Sequence, residues 1–469
     1  MQRMGIYIHI PFCVRKCRYC DFLSFPAAER EKDRYVQALL EEIRREAERY
    51  QDAVVDSVFI GGGTPTVLAE GALEGILACL RASFHFADEA GAEDLRIAEN
   101  DGDEPGQGKP FGMGTEARQV EITVEINPAT AGRERLERLR LAGVNRLSIG
   151  TQSVHNRELA YLGRVHSAQD FFRIYRDAVE AGFDNINVDL MSALPGQSAA
   201  DYMDSLRQVA ALGPAHISAY SLILEEGTPF YEIYGGGDRE RETQGRESKG
   251  AGLKRDMPTE APLQEGAGCM SGKTSLQESE TLGNASLQEM EKSAFGKVLP
   301  LPTEEEEREM YEQTEVFLRG KGYNRYEISN YARPGMECRH NIGYWERKDY
   351  IGFGLGAASM AGNVRWKNCS DLQEYMENIL IKGKTVKEDV QRLSLEEQME
   401  EFMFLGLRLS KGVGLAKFAE AFGREMKEVY GPVIEKLERQ GLLEVTQEEI
   451  RLTAYGRDVS NYVMAKFLF

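Results

Sequence analysis

Three cysteines stand within eight residues, Cys13, Cys17 and Cys20, in the stretch HIPFCVRKCRYCDF at 9–22. Thiols this close in a chain of this size hold metal more often than they form disulfides. Two chemistries suit them. A tetrahedral zinc needs a fourth ligand, which Asp21 or a histidine would supply; His9 is near in sequence but lies in a strand-like run. A 4Fe–4S cube takes one thiolate per iron, so three thiolates leave one iron open to a ligand from outside the protein. A substrate-binding cluster needs that opening, whereas a structural cluster is fully ligated. Arg15, Lys16 and Arg18 add positive charge, which favours thiolate over thiol.

Such a loop needs rigid elements to position it. The first two-thirds of the chain repeats a β-rich run, a polar or Gly-rich turn and an amphipathic stretch. Strands are expected at 5–10, 54–60, 120–126, 145–152, 185–191 and 216–224, and helices near 29–49, 67–84, 130–142, 168–181 and 199–211. This alternation specifies βαβ units and a parallel sheet. Right-handed crossovers curl six such units into a full or partial barrel. The unusual polar groups share one address. Cys13–Cys20, Gly61–Thr64, Glu125, Gln152 and Asp189 all fall at or just past strand ends, the rim that carries the site in parallel α/β folds.

The whole chain sets the outer limits. At 469 residues it is long enough for one large domain and a smaller one. A composition of 42% hydrophobic and 28% charged residues is that of an ordinary globular protein. A net charge of −19 argues against a general nucleic-acid binder. No apolar run has transmembrane length, and the opening residues alternate like a strand rather than a secretory signal. Seven cysteines, three of them clustered, suit a reducing cytoplasm.

Two segments read as insertions. Residues 88–118 hold nine acids against three bases, and 236–302 is rich in Gly, Ser, Glu and Gln, with LQE recurring at 263, 276 and 287. Both bury too little apolar surface to order themselves, so they are expected to be mobile, and Cys269 is incidental. Thr303 and Glu306 form a capping box that opens a helix. The expected units are therefore a barrel core at 1–235, the insertion at 236–302, a barrel-closing segment at 303–385 and a small C-terminal domain at 386–469. That last unit shows helical patterns at 394–409, 412–422 and 426–440 and then strand-like residues, as in a winged helix.

The C-x3-C-x2-C spacing after the first strand resembles that of the radical S-adenosylmethionine superfamily. The resemblance implies a 4Fe–4S cluster whose open iron is chelated by the methionine end of S-adenosylmethionine, in a partial (β/α)6 barrel. In that superfamily an electron from the cluster cleaves the sulfonium to a 5′-deoxyadenosyl radical, so an electron donor is implied. YIHIPFC, GGGTPT, VEINP, GVNRLSIGTQS, LGR, NVDLMSALPGQ and HISAY together resemble the oxygen-independent coproporphyrinogen III oxidase family, over about 5–230 and again over 305–469. On that likeness Tyr7, Tyr19, Gly62, Gly63, Thr64, Glu125, Gln152, Arg164 and Asp189 are expected to bind the cofactor.

One position departs from the oxidases. They carry a further cysteine two residues past the third, where this chain has Phe22. The chain also begins close to its first strand. Both features resemble the heme chaperone subgroup, which binds heme as cargo and passes it to heme-accepting proteins. His340-Asn341-Ile342-Gly343-Tyr344-Trp345 matches that subgroup's H-N-x-x-Y-W word and makes His340 a candidate heme ligand, with Cys338 as a thiolate alternative. His85, His155, His166 and His216 share no spacing and receive no role. Radical decarboxylation of coproporphyrinogen III is the enzymatic alternative, and a zinc-stabilised α/β protein is the second.

Overall fold

The computed structural model describes residues 2–88, 119–235 and 298–469. Nearly all of the two expected insertions, with Cys269, lies outside these residues. Residues 298–302, at the end of the second, are described and pack on the core. Leu299 donates its N–H to the Tyr161 hydroxyl at 3.3 Å, and Pro300 accepts from the Gly196 N–H at 2.7 Å.

The expected strands form one open sheet. β1 (Gln2–Ile10), β2 (Ala53–Gly62), β4 (Glu121–Ile126), β5 (Arg146–Gln152), β6 (Asn185–Ser192) and β7 (His216–Ser221) run parallel in chain order, and the two-residue β3 (His85–Phe86) pairs beside β2. Helices connect them. Two begin with reciprocal capping boxes, Ser167 with Asp170 and Ser198 with Asp201, which satisfy the free N–H groups of the first turn. The helix Ala168–Glu180 buries Phe171, Ile174, Tyr175 and Ala178, one apolar stripe against the sheet. The second helix begins at Ala72 rather than near 67, because Pro65–Val67 makes a 3-10 turn first.

The segment after the second insertion supplies both edges. β8 (Asn324–Arg325) and β9 (Asn330–Ala332) extend the sheet beyond β7, antiparallel. At the other end β10 (Tyr350–Phe353) lies parallel to β1 and continues into β11 (Ala358–Ala361), β12 (Val364–Asn368) and β13 (Lys387–Arg392). β13 pairs with β12, so the sheet runs seven residues past the 385 boundary expected from sequence. Period-2 patterning at 387–392 is weak because all but the first of its residues are exposed.

The C-terminal unit has its own apolar core, built around Met403, Phe418, Tyr430, Ile434 and Phe467. It contains helices Leu395–Gly406, Leu415–Phe422 and Met426–Arg439 and a small sheet of β14 (Val413–Gly414), β15 (Leu443–Val445) and β16 (Glu449–Leu452) in the order β14-β16-β15. This is the helical, winged arrangement expected. A buried charge cluster ties it to the barrel: Glu401 accepts from Arg347 at 2.9 Å and from Arg365 at 2.7 Å.

Candidate cofactor and cluster site

The cysteine loop is closed at its base and braced at its tip. Phe12 and Phe25 form a bridge with edge-to-face rings 5.9 Å apart, and Cys13 donates its N–H to the Phe25 carbonyl at 3.1 Å. At the tip, Arg18 N–H bonds Leu162 O and Arg18 O accepts from Phe230 N–H. Arg15 reaches across to the carbonyls of Gly163 and Arg164 at 2.9 and 3.2 Å. A loop of thiols is thereby fixed by backbone bonds, independently of any metal.

The glycine turn at the end of β2 lies against this loop. Gly62 has φ +102°, and a Cβ there would stand 2.4 Å from the His9 ring. A Cβ on Gly63 would stand 2.6 Å from the Phe12 carbonyl oxygen, and one on Gly61 2.7 Å from the Glu125 carboxylate. Each glycine is required by a close approach, not by flexibility. Thr64 donates its N–H to Phe12 O at 2.7 Å and sets its hydroxyl 3.6 Å from Cys13 Sγ. Gly62 N–H donates to Glu125 at 3.1 Å.

Together these parts wall a cavity of about 450 Å³ in the mouth of the sheet. Cys13, Cys17, Cys20, Tyr19, Gly62, Gly63, Thr64, Glu125, Gln152, Arg164 and Asp189 all line it. Arg164 is half-buried and donates to Cys17 Sγ at 3.6 Å and to Gly150 O. Burial dominates at Cys20 and pushes its thiol up to about 12. Gln152 sits at a bulge with φ +68° and accepts from the Tyr220 hydroxyl at 2.9 Å. Burial raises the Asp189 carboxyl against donors from Ser218, Asn187 and Ser148.

Tyr7 and His340 do not line the cavity. Tyr7 bonds His9 Nδ1 at 2.9 Å and stacks on Phe59, while His9 Nε2 pairs with Leu23 O at 2.9 Å. Tyr7 thus braces the cysteine loop through His9. His340, the candidate heme ligand of the sequence reading, packs behind the cavity wall against Ser57 and Tyr344. The residue is 3% exposed, and both ring nitrogens are engaged, Nδ1 with Ser57 Oγ at 3.0 Å and Nε2 with the Tyr344 hydroxyl at 2.9 Å. Cys338 is buried, pushed up to about 12 by that burial, and held by Glu121. From the H-N-x-x-Y-W word it is Asn341 that reaches the cavity.

Several cavity residues had no role in the sequence reading: Arg146 and Ser148 on β5, Asn187 on β6, and His216 and Ser218 on β7. The signal was present. A parallel strand covered on both faces reads as continuously apolar, yet β5, β6 and β7 alternate polar with apolar. That alternation marks an inner face that stays polar.

The Radical SAM superfamily model matches residues 7–209 and the HemN C-terminal domain model matches 393–459. The heme chaperone HemW of Bacillus subtilis (strain 168) is 32% identical over 462 residues, covering 98% of each chain. The chain belongs to the HemW family of radical SAM proteins. The heme chaperone HemW of Escherichia coli (strain K12) is 29% identical and spans 99% of this chain and 98% of its own. Among solved structures, coproporphyrinogen III oxidase (HemN) from Escherichia coli superposes with a TM-score of 0.70, covering 99% of this chain and 90% of that one, at 20% identity. That likeness bears on the fold, and it agrees with the open sheet and winged C-terminal unit. The 393 boundary of the HemN C-terminal domain coincides with the end of β13.

Membership of this family implies a 4Fe–4S cluster and S-adenosylmethionine. The residues present fit both. Three thiols share one braced loop, the glycine turn packs directly on that loop in the cavity wall, and Arg164 supplies positive charge beside Cys17. No helix of the described residues is long and apolar enough to cross a membrane.

Proposed function

We propose that this chain is a cytoplasmic heme chaperone that binds a 4Fe–4S cluster, S-adenosylmethionine and heme, and delivers the heme to heme-accepting proteins. The observation that carries the reading is full-length similarity, at 32% identity, to a protein named a heme chaperone. The oxidase shares the fold at 20% identity, and Phe22 stands, half exposed at the cavity, where oxidases of the resembling family have a cysteine.

In this reading Cys13, Cys17 and Cys20 hold the cluster. Tyr19, Gly62, Gly63, Thr64, Glu125, Gln152, Arg164 and Asp189 surround the cofactor, and Tyr7 positions the cysteine loop through His9. Arg164 offsets thiolate charge at Cys17. Glu125, already accepting from Gly62 N–H, orients the turn that presents its backbone to the ligand. Bound together, cluster and cofactor supply reductive sulfonium chemistry once an electron donor acts.

Anaerobically reconstituted protein tests the reading in two parallel assays. Heme binding, read by absorbance, and heme transfer to an apo-hemoprotein are expected. Accumulation of protoporphyrinogen from coproporphyrinogen III with turnover would replace the chaperone reading with the oxidase one.

A further inference from the structure

Two hydroxyls stand near Cys13, the first thiol of the loop, and backbone bonds hold both in place. Thr64 donates its N–H to Phe12 O at 2.7 Å, which sets its Oγ1 3.6 Å from Cys13 Sγ. Ser24 sits between two fixed neighbours. Leu23 O holds His9 Nε2 at 2.9 Å, and Phe25 donates its N–H to Pro11 O at 2.9 Å. Ser24 is 3% exposed and lines the cavity, and its Oγ has no hydrogen-bond partner. A buried hydroxyl left without a partner is costly and calls for an explanation. Cys13 supplies one. Burial pushes the Cys13 thiol up, and the Thr64 and Ser24 hydroxyls act against that push. Metal coordination takes the proton from a thiol, so its sulfur can then only accept.

We propose that Ser24 and Thr64 are positioning residues for the cluster, each donating its hydroxyl to the Cys13 sulfur and together raising the cluster's reduction potential. Hydrogen bonds to the sulfurs help to set the potential of such clusters. Donors favour the reduced state, which carries one more negative charge. Ser24 Oγ thereby gains the acceptor it lacks. The inference rests on the proposed ligation of the cluster by the three cysteines, and adds to it the residues that tune the cluster.

Anaerobic redox titrations followed by electron paramagnetic resonance test this. They are run without S-adenosylmethionine, so that contacts to the cofactor do not enter. Wild type, Ser24→Ala, Thr64→Val, Thr64→Ser and the Ser24→Ala/Thr64→Val double variant are reconstituted, and iron and sulfide are counted in each. The double variant is expected to hold the full cluster with a reduction equilibrium about tenfold less favourable, a midpoint lower by about 59 mV for a one-electron couple. Each single removal is expected to give part of that shift, and Thr64→Ser, which keeps the hydroxyl, almost none. Valine keeps the shape of threonine, so a packing role would move Thr64→Ser and spare Thr64→Val. Wild-type protein that takes up no iron would end the cluster reading itself. With the cluster present, an unchanged or raised midpoint in the double variant would overturn the proposal and leave that reading intact. Ser24→Ala carries the test if the Thr64→Val proteins take up no iron. Loss of iron in Ser24→Ala as well would make the hydroxyls structural and overturn the proposal too.

Discussion

The histidines show how far burial decides chemistry at the scale of one residue. His340 is held neutral by desolvation, with its pKa lowered to about 3, and both ring nitrogens are bonded. A base depressed in the folded state binds fewer protons there than when unfolded. Its contribution is therefore present above about 6.5 and lost as pH falls toward about 3. His340→Gln is expected to leave heme affinity within about twofold and to flatten the loss of stability below pH 6.5, read by denaturant melts across pH. Loss of heme binding in that variant would assign His340 the ligand role. From sequence, the H-N-x-x-Y-W word was legible as a unit but not its direction. Whether His340 or Asn341 faces the cavity depends on where the short helix Arg339–Trp345 docks, a tertiary fact. The cysteines and the Gly62–Thr64 turn were legible because close approach permits few residue types there. Arg146 was hidden because one arginine in a strand looks like any surface charge until the inner face is known.

At the scale of elements, the tip of β2 sets the cysteine loop. Gly63→Ala would press a methyl against the Phe12 carbonyl, backbone that cannot swing aside. The expected result is reduced iron incorporation on reconstitution and a loss of about 1–3 kcal/mol in stability. The helix Glu29–Ala47 carries a second buried titration. Glu42 accepts from Tyr375, Gly354 and Asn368, yet burial raises it to about 7. Here the folded state binds more protons than the unfolded between about 4.5 and 7, so this residue lowers stability as pH rises through that window. Glu42→Gln is expected to remove that slope in melts between pH 5 and 8. The parallel strands and their order were readable because each βα unit carries its own period and caps. The edge strands β8–β13 were not, being short and, at β9 and β10, docked on strands distant in the chain.

In the whole molecule, ion pairs help to join the two cores, Glu346 with Lys411 and Lys417 among them. Glu401 is buried against Arg347 and Arg365, and removing it leaves two cations facing each other. Glu401→Ala is expected to destabilise by about 3–5 kcal/mol and to separate unfolding of the C-terminal unit from that of the barrel, visible as two calorimetric transitions. The two-unit organisation was expected from the change of pattern near 390, and the true limit at the end of β13 follows from sheet pairing.

The account depends most on one arrangement, three thiolates gripping a cube that keeps an iron free for a small chelating ligand. Its most direct measurement is anaerobic: iron, sulfide and S-adenosylmethionine affinity for the Cys13→Ser, Cys17→Ser and Cys20→Ser proteins beside the wild type. The prediction is about four irons and four sulfides per wild-type chain, with each single substitution abolishing most of the iron and the ligand affinity with it. Full iron content and undiminished affinity in the serine variants would contradict it.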